Sequence, residues 1–244
     1  MDIRSSTVLP ANRTDIDFVT ADGLTLVGEV ATPVDGPPLG TLLFLHPLPT
    51  AGGFMDSHLI RKASNRLPAL AQLATFRFNF RGVSSPRGTS DGQFGDGIAE
   101  ANDLDAALDE TERRGLPAPW LVGWSFGTEV ILKHALSHRG RFAGAILLAP
   151  PLHRATPEDL SAWQDVTEPL VAIVPEHDTF LPPEPAKLKF SVVPRITFID
   201  VPGAKHLFVG ENYTREVLSL IVAQVNPSAL PLPTEYVDGP SDVS

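Results

Sequence analysis

The chain has 244 residues, 43% of them apolar and 20% charged, and 29 acidic against 19 basic side chains give it a formal charge of −10. This is the composition of a globular protein of one large or two small domains, and an acidic balance without a run of Lys or Arg gives no electrostatic attraction for nucleic acid or anionic lipid. The sequence contains no cysteine, which excludes disulfides, thiolate metal sites and a cysteine nucleophile.

The first residues of the chain show no periodic pattern. Residues 1–13 are therefore predicted to be a flexible N-terminus, and they lack the apolar run of a secretory signal. Later apolar runs, such as 41–45 and 143–148, have the length of strands and fall far short of the roughly 20 residues of a membrane-spanning helix. We expect a cytoplasmic protein with neither a membrane nor a nucleic acid as partner.

Two extended stretches, 16–20 and 24–31, are joined by Asp22-Gly23 and predict a β-hairpin. Short apolar runs then alternate with longer segments of helical period. The further predicted strands are 41–46, 74–80, 119–124, 142–149, 169–175 and 195–201. The predicted helices are 57–70, 97–113, 126–138, 156–164, 183–190 and 213–224. This alternation predicts an α/β fold, with one mostly parallel sheet of about eight strands, helices on both faces and antiparallel strands at the start.

The end of the chain differs in composition from the rest. Residues 228–244 are acidic and rich in proline and show no apolar period, which predicts a mobile tail. No break in composition interrupts residues 14–227, so this range is predicted to be a single domain. In an open parallel sheet, functional residues lie at the carboxyl ends of the strands.

A Gly-x-Ser-x-Gly pattern, Gly123 to Gly127, follows the predicted strand 119–124 and precedes a predicted helix. In this strand-to-helix context the two glycines allow a sharp turn that holds the serine hydroxyl above the sheet. The N-terminus of the helix favours developing negative charge beside Ser125. The pattern predicts a nucleophilic serine, and the alternative is a serine that only caps the helix.

A serine nucleophile requires a general base and an acid that orients it, in the chain order Ser, Asp or Glu, His for this architecture. His206 follows the predicted strand 195–201 in a loop before the last helix, where the base is expected. Asp178 follows the strand 169–175 and is the candidate acid, with Glu176 in reserve.

Other polar candidates have simpler structural explanations. His134 and His138 have the i, i+4 spacing of metal ligands, but no third ligand is evident and no metal site is predicted. Arg81 has the chemistry to bind a substrate carboxylate, yet such an Arg more often ties a loop to a nearby acid such as Glu100 or Asp103. No motif for a nucleotide or another cofactor is present, and none is expected.

The chain resembles the α/β-hydrolase superfamily, and in particular its small lidless bacterial branch of serine hydrolases. The similar segments are 44–56, 76–88, 120–127, 171–182 and 201–211. The resemblance therefore covers most of 24–225 and implies the α/β-hydrolase fold. Only about residues 152–168 are available where lid-bearing members insert a cap domain, so a minimal cap and an open site are expected.

The resemblance also implies a role for each candidate residue. By that resemblance Ser125 is the nucleophile, Asp178 the orienting acid and His206 the general base. The oxyanion hole would consist of the backbone N–H groups of Phe126 and Leu48. Leu48 stands where relatives commonly have a second histidine, which changes the wall of the acyl pocket and leaves the backbone N–H in place.

Further side chains near the serine are candidates for the substrate site. Trp124, Phe54 and His46 are expected to contact substrate, although Trp and Phe are more often core residues. Lys205 stands where relatives usually have an acidic residue before the base. We expect this difference to alter substrate preference or the surroundings of His206.

These residues predict a cofactor-free serine hydrolase that cleaves a carboxylic ester or thioester of a small or openly accessible substrate through an acyl-enzyme on Ser125. Two alternatives stay open on the sequence alone. The same triad supports amide or peptide cleavage and acyl transfer, and a non-catalytic protein of this fold would bind a ligand or partner instead. The expected partner is a small-molecule substrate, and an exposed edge strand permits a homodimer.

Overall fold

The computed structural model describes residues 1–237, and each predicted strand and helix has a counterpart in it. The strands are β1 (Asn12–Val19), β2 (Thr25–Thr32), β3 (Gly40–Leu45), β4 (Leu73–Phe78), β5 (Ser84–Ser85), β6 (Gly88–Thr89), β7 (Pro119–Trp124), β8 (Gly144–Leu148), β9 (Leu170–His177) and β10 (Thr197–Lys205). The α-helices are α1 (His58–Ala71), α2 (Glu100–Arg113), α3 (Phe126–His134), α4 (Pro157–Ser161), α5 (Pro183–Phe190) and α6 (Glu211–Val225).

Eight strands form one sheet in the order β1-β2-β4-β3-β7-β8-β9-β10. The β1–β2 and β2–β4 pairs are antiparallel, and all later neighbours are parallel. The predicted mostly parallel sheet with an antiparallel start is therefore confirmed. The two-residue strands β5 and β6, which the apolar pattern did not predict, form a separate small hairpin after β4.

Helices cover both faces of this sheet, which explains why strands such as β3 and β4 are buried along their whole length. On one face, side chains of α2 and α3 such as Leu104 and Val130 pack in one apolar cluster. On the other face, α1 and α6 contribute Leu59 and Val217 to a second cluster. Among residues 1–237, no helix combines the length and the apolar character needed to cross a membrane.

The ends of the described chain contact each other. The N–H of Ile3 donates to the carbonyl of Thr234 at 2.9 Å, and the N–H of Tyr236 donates to the carbonyl of Met1 at 2.8 Å. The mobility of 1–13 and of the tail stays a prediction. The last part of the predicted tail, residues 238–244, lies outside the described residues.

Arg81 is a buried structural residue after β4. Its backbone N–H and Nε each donate to Asp103 at 2.9 Å, and its two terminal nitrogens donate to Asp22 at 3.0 and 3.2 Å. The hydrogen bonds from Arg81 lower the pKa of Asp22 to about 2. Of the two acids considered as partners from the sequence, Asp103 pairs with Arg81, whereas Glu100 accepts from backbone N–H groups of Gly95 and Gly97.

We expect Arg81→Met to lower the free energy of unfolding by about 3 to 5 kcal/mol, because it leaves the fully buried carboxylate of Asp103 without its cation. Urea unfolding at pH 7 measures this effect. Arg113→Met, at an exposed position of α2, is the matched control and should change the free energy of unfolding by less than about 1 kcal/mol. Equal losses in the two variants would contradict a structural role for Arg81.

Candidate active site

Ser125 occupies a strained turn between the end of β7 at Trp124 and the start of α3 at Phe126. Its backbone has φ 52° and ψ −115°, a left-handed conformation that is costly for a residue with a Cβ. The N–H of Ser125 donates to the carbonyl of Leu148 in β8 at 2.9 Å. The turn is thus attached to the neighbouring strand and projects the hydroxyl above the sheet.

The two glycines of the turn are required by close backbone contacts. A Cβ at Gly123 would lie 2.6 Å from backbone atoms of Gly127. A Cβ at Gly127 would overlap the carbonyl oxygen of Leu45 at the end of β3. Because these neighbours are backbone atoms that cannot move aside, only glycine fits at either position.

The three residues predicted as a triad lie at the carboxyl ends of β7, β9 and β10. Ser125 Oγ is 2.9 Å from His206 Nε2, and His206 Nδ1 is 2.8 Å from Asp178 Oδ2. The other carboxylate oxygen, Oδ1, accepts the N–H groups of Phe180 at 2.8 Å and Leu181 at 3.4 Å. This orientation of Asp178 places the proton of the neutral ring on Nδ1 and directs the free lone pair of Nε2 at the serine.

The reserve acid, Glu176, takes no part in this arrangement. It lies exposed near the end of β9, where its carboxylate accepts the N–H of Gly203 at 2.7 Å. Of the two candidate acids, only Asp178 contacts the ring of His206.

Leu48 and Phe126, whose backbone N–H groups are the predicted oxyanion hole, line the same cavity as Ser125. Phe126 is the first residue of α3, so its N–H has no partner within the helix. Neither N–H donates a hydrogen bond to another group in the described part of the chain. Both N–H groups are therefore without a protein acceptor, and their role as an oxyanion hole stays a prediction.

His46 does not reach the cavity, in contrast to the expectation that it contacts substrate. It is fully buried; its Nδ1 donates to the carbonyl of Pro47 at 2.7 Å, and its Nε2 accepts the N–H of Phe80 at 3.1 Å. Burial lowers the pKa of His46 from 6.5 to about 4, so the ring is neutral at pH 7. His46 connects the loop of Leu48 to the segment after β4.

Trp124 likewise faces the core rather than the cavity. Its Nε1–H donates to the carbonyl of His206 at 3.3 Å. The ring of His58 stands edge-on to it at 5.3 Å, and His58 Nε2 donates to the carbonyl of Leu207 at 2.7 Å. The buried ring of Trp124 and the half-buried ring of His58 thus bind two consecutive backbone carbonyls, those of His206 and Leu207. His58 was not singled out from the sequence, because nothing in its local pattern marks it.

The cavity beside Ser125 has a volume of about 370 Å³ and is open to solvent. Its apolar wall consists of Pro47, Leu48, Ala51, Phe126, Pro151, Phe180 and Leu207. Its polar wall consists of Glu129, His153, Arg154 and Thr179. Phe54 lines a different surface cavity, beside Arg81 and Phe94. The chain between β8 and β9 carries only the short helix α4, so no cap domain covers the site.

The histidines with metal-like spacing are bound to protein groups instead. His134 Nε2 donates to the carbonyl of Gly97 at 2.7 Å, and His138 Nδ1 lies 3.4 Å from Asp105. Within residues 1–237, no cluster of three or more His, Asp or Glu side chains is arranged to hold a metal ion.

Solved structures with the same architecture include proteins described as serine hydrolases and as esterases. An α/β serine hydrolase homologue from Coxiella burnetii is 26% identical and matches 90% of this chain and 100% of its own, with a TM-score of 0.73. A lidless α/β serine hydrolase from Xanthomonas campestris is 25% identical over 93% of this chain and 100% of its own, with a TM-score of 0.73. An esterase from Pyrococcus furiosus is 17% identical over 88% of this chain and 93% of its own, with a TM-score of 0.69. At this identity the likeness shows only a common fold.

The chain therefore has the α/β-hydrolase fold, and the expected resemblance to the superfamily is confirmed. Its structural neighbours include a serine hydrolase without a lid, in agreement with the short connection between β8 and β9. No protein-family model and no curated protein sequence matches the chain.

The neutral state of His46 predicts a specific dependence of stability on pH. Its pKa is lower in the folded protein than in the unfolded chain, so its contribution is complete above pH 6.5 and is lost as the pH falls towards 4. Between pH 7 and pH 4.5, the free energy of unfolding of the parent should fall by about 2 kcal/mol more than that of His46→Gln. Urea unfolding of both proteins at the two pH values measures the difference. An equal decrease in the free energy of unfolding of the two proteins would contradict a buried neutral His46.

Proposed function

We propose that this chain is a serine hydrolase that cleaves a carboxylic ester or thioester of a small or openly accessible substrate. The observation that carries the proposal is the unbroken chain of hydrogen bonds from Ser125 Oγ through the ring of His206 to the carboxylate of Asp178, at the wall of an open cavity. The serine hydrolases among the structural neighbours support it.

In the first half of the proposed reaction, His206 Nε2 takes the proton of Ser125 as Oγ attacks the carbonyl carbon of the substrate. The new Oγ–C bond converts the carbonyl oxygen into an oxyanion, which the N–H groups of Leu48 and Phe126 stabilise. Asp178 stays ionised and stabilises the protonated ring. Collapse of the intermediate breaks the bond to the alcohol or thiol, which leaves with the proton of His206.

In the second half, water replaces the departed alcohol or thiol beside the base. His206 removes a proton from this water as its oxygen attacks the carbonyl carbon of the acyl-enzyme. The second tetrahedral intermediate then breaks its bond to Ser125, and the proton on His206 returns to Oγ. The products are a carboxylic acid and the free enzyme, so the cycle requires no cofactor.

The shape of the site favours short acyl groups or parts of larger molecules over long lipid chains. The cavity of about 370 Å³ is at the small end of the range for ligand pockets. With only α4 between β8 and β9, no lid encloses a long chain. The remainder of a larger substrate would extend into solvent.

The first test combines active-site labelling with turnover. We expect the parent to react with a fluorophosphonate probe and to hydrolyse p-nitrophenyl acetate and butyrate, whereas Ser125→Ala should not label and should lose roughly 10⁴-fold or more in kcat, because the nucleophile is gone. Ser191→Ala, an exposed serine after α5, is the control and should behave like the parent. A folded parent without labelling or turnover would overturn the proposal. Matched ethyl ester, thioester and amide substrates then separate esterase from amidase.

The contact of Trp124 with the backbone of the base predicts a selective loss of rate. Trp124→Phe keeps an aromatic ring in the core and removes the N–H that binds the carbonyl of His206, so kcat should fall roughly fivefold with little change in KM. Trp163→Phe removes the equivalent N–H bond to the carbonyl of Leu132 and is the matched control, because neither of these residues lines the cavity. If both variants lose stability equally and neither loses kcat, Trp124 does not position His206.

A further inference from the structure

An exposed aromatic side chain stands beside the base, and the proposed mechanism does not use it. Phe180 is 52% exposed, although it lines the cavity of Ser125. Its backbone N–H donates to Oδ1 of Asp178 at 2.8 Å, which fixes the chain two residues after the acid. The backbone of Phe180 is therefore held at the site, while its ring presents apolar surface to solvent.

The ring of Phe180 packs against two histidine rings. Its centre is 4.5 Å from that of His206, at an interplanar angle of 68°, and 5.4 Å from that of His153, at an angle of 78°. Aromatic pairs prefer edge-to-face contacts of this kind. These contacts fix the orientation of the ring, although half of the residue is open to solvent.

A second exposed apolar side chain adjoins the base. Leu207 follows His206 directly in the chain, lines the same cavity and is 49% exposed. Its carbonyl accepts a hydrogen bond from His58 Nε2 at 2.7 Å, so the backbone is fixed here too. Exposed apolar surface that is grouped at a cavity is typical of a binding site. Phe180 and Leu207 supply such a surface next to the base.

The charged side chains of the cavity wall already have protein partners. Arg154 Nε donates to Asp96 at 2.7 Å, and its Nη1 lies 3.5 Å from Oε2 of Glu129. These groups interact with one another when no substrate is bound. Phe180 and Leu207, in contrast, each leave about half of their surface to solvent. An apolar group of the substrate is the partner that this surface lacks.

The chemistry of the proposed reaction assigns the two side chains to one part of the substrate. The departing alcohol or thiol takes its proton from Nε2 of His206, so its oxygen or sulfur must lie within hydrogen-bond distance of that ring. Phe180 packs against the same ring, and Leu207 is the next residue in the chain. The part of the substrate beside them is therefore the leaving group.

We propose that Phe180 and Leu207 form an apolar subsite for the leaving group, and that they select alcohols or thiols with an apolar group, such as an aromatic ring, near the departing atom. This inference rests on the proposed hydrolase function and adds to it the class of leaving group. A group that covers both side chains removes their apolar surface from water, which stabilises the complex. An aromatic ring adds a favourable contact with the ring of Phe180.

The test uses ethyl acetate and two isomeric esters that each add one phenyl group to it. In 2-phenylethyl acetate the ring is in the alcohol part, and in ethyl phenylacetate it is in the acyl part. We expect kcat/KM of the parent to be roughly tenfold higher for 2-phenylethyl acetate than for ethyl acetate, because the ring covers the apolar subsite. The ring is separated from the leaving oxygen by two carbons, so it hardly alters the intrinsic reactivity of the ester bond.

Substitutions at the subsite should change only the ratio that reports on the alcohol part. In Phe180→Ala, the ratio of kcat/KM for 2-phenylethyl acetate to that for ethyl acetate should fall at least about threefold. The ratio for ethyl phenylacetate to ethyl acetate should keep its parent value. Each ratio compares two esters within one variant, so a general effect on His206 cancels. Leu207→Ala should lower the first ratio in the same way, and Phe180→Trp, which keeps an aromatic ring, should preserve it.

An exposed leucine away from the site provides the matched control. Leu188→Ala on α5 removes an apolar side chain that does not line the cavity and should keep both ratios of the parent. A parent ratio of one or less for 2-phenylethyl acetate, a ratio unchanged in either folded alanine variant, or an equal fall for ethyl phenylacetate would overturn the inference. If Phe180→Ala does not fold, Leu207→Ala decides. Absence of activity on every ester, p-nitrophenyl acetate included, would instead overturn the hydrolase function.

Discussion

The site depends on the close approach of two strand ends to one strained turn. Ser125 can keep its left-handed backbone only because the chain on each side of it is held in place. Its N–H donates to the carbonyl of Leu148 in β8, and Gly127 packs against the carbonyl of Leu45 in β3. Both neighbours are central strands of the sheet. The conformational cost at the serine is therefore met by the packing of the whole sheet, as expected for strain at a functional site. The same constraint directs the hydroxyl towards His206.

The base and the backbone N–H of Leu48 lie on loops. Ring nitrogens of packed side chains fix these loops by donating hydrogen bonds to their backbone carbonyls. His46 binds the carbonyl of Pro47 beside the Leu48 N–H, and Trp124 and His58 bind the carbonyls of His206 and Leu207. Ring nitrogens suit this task because the ring packs in an apolar core while one edge remains polar. A neutral His46 is essential to this role, since a protonated ring would lose its acceptor for the N–H of Phe80.

The sequence predicts the fold and the residues at the strand ends better than the direction of their side chains. Ser125, Asp178 and His206 were predicted because each follows an apolar run that reads as a strand, and parallel strands end at one edge of a sheet. His46 and Trp124 also stand at strand ends, yet their rings turn into the core. Their partners are backbone groups that lie up to 82 residues away in the sequence. Neither hydropathy nor the spacing of residues indicates such contacts. Arg154, which lines the cavity, was missed for the same reason, because its partners come from α3 and from the loop before α2.

Two carboxylates close to the nucleophile would oppose formation of an oxyanion if they were free. Asp178 is bound by backbone N–H groups and by the ring of His206, and Glu129 by backbone N–H groups and Arg154. Each of these two carboxylates is thus bound by its own set of N–H donors. Leu48 and Phe126 line the cavity, and their backbone N–H groups donate no hydrogen bond within residues 1–237. In the proposed mechanism these N–H groups stabilise the oxyanion, which is the electrostatic condition that acyl transfer requires, despite the net charge of −10.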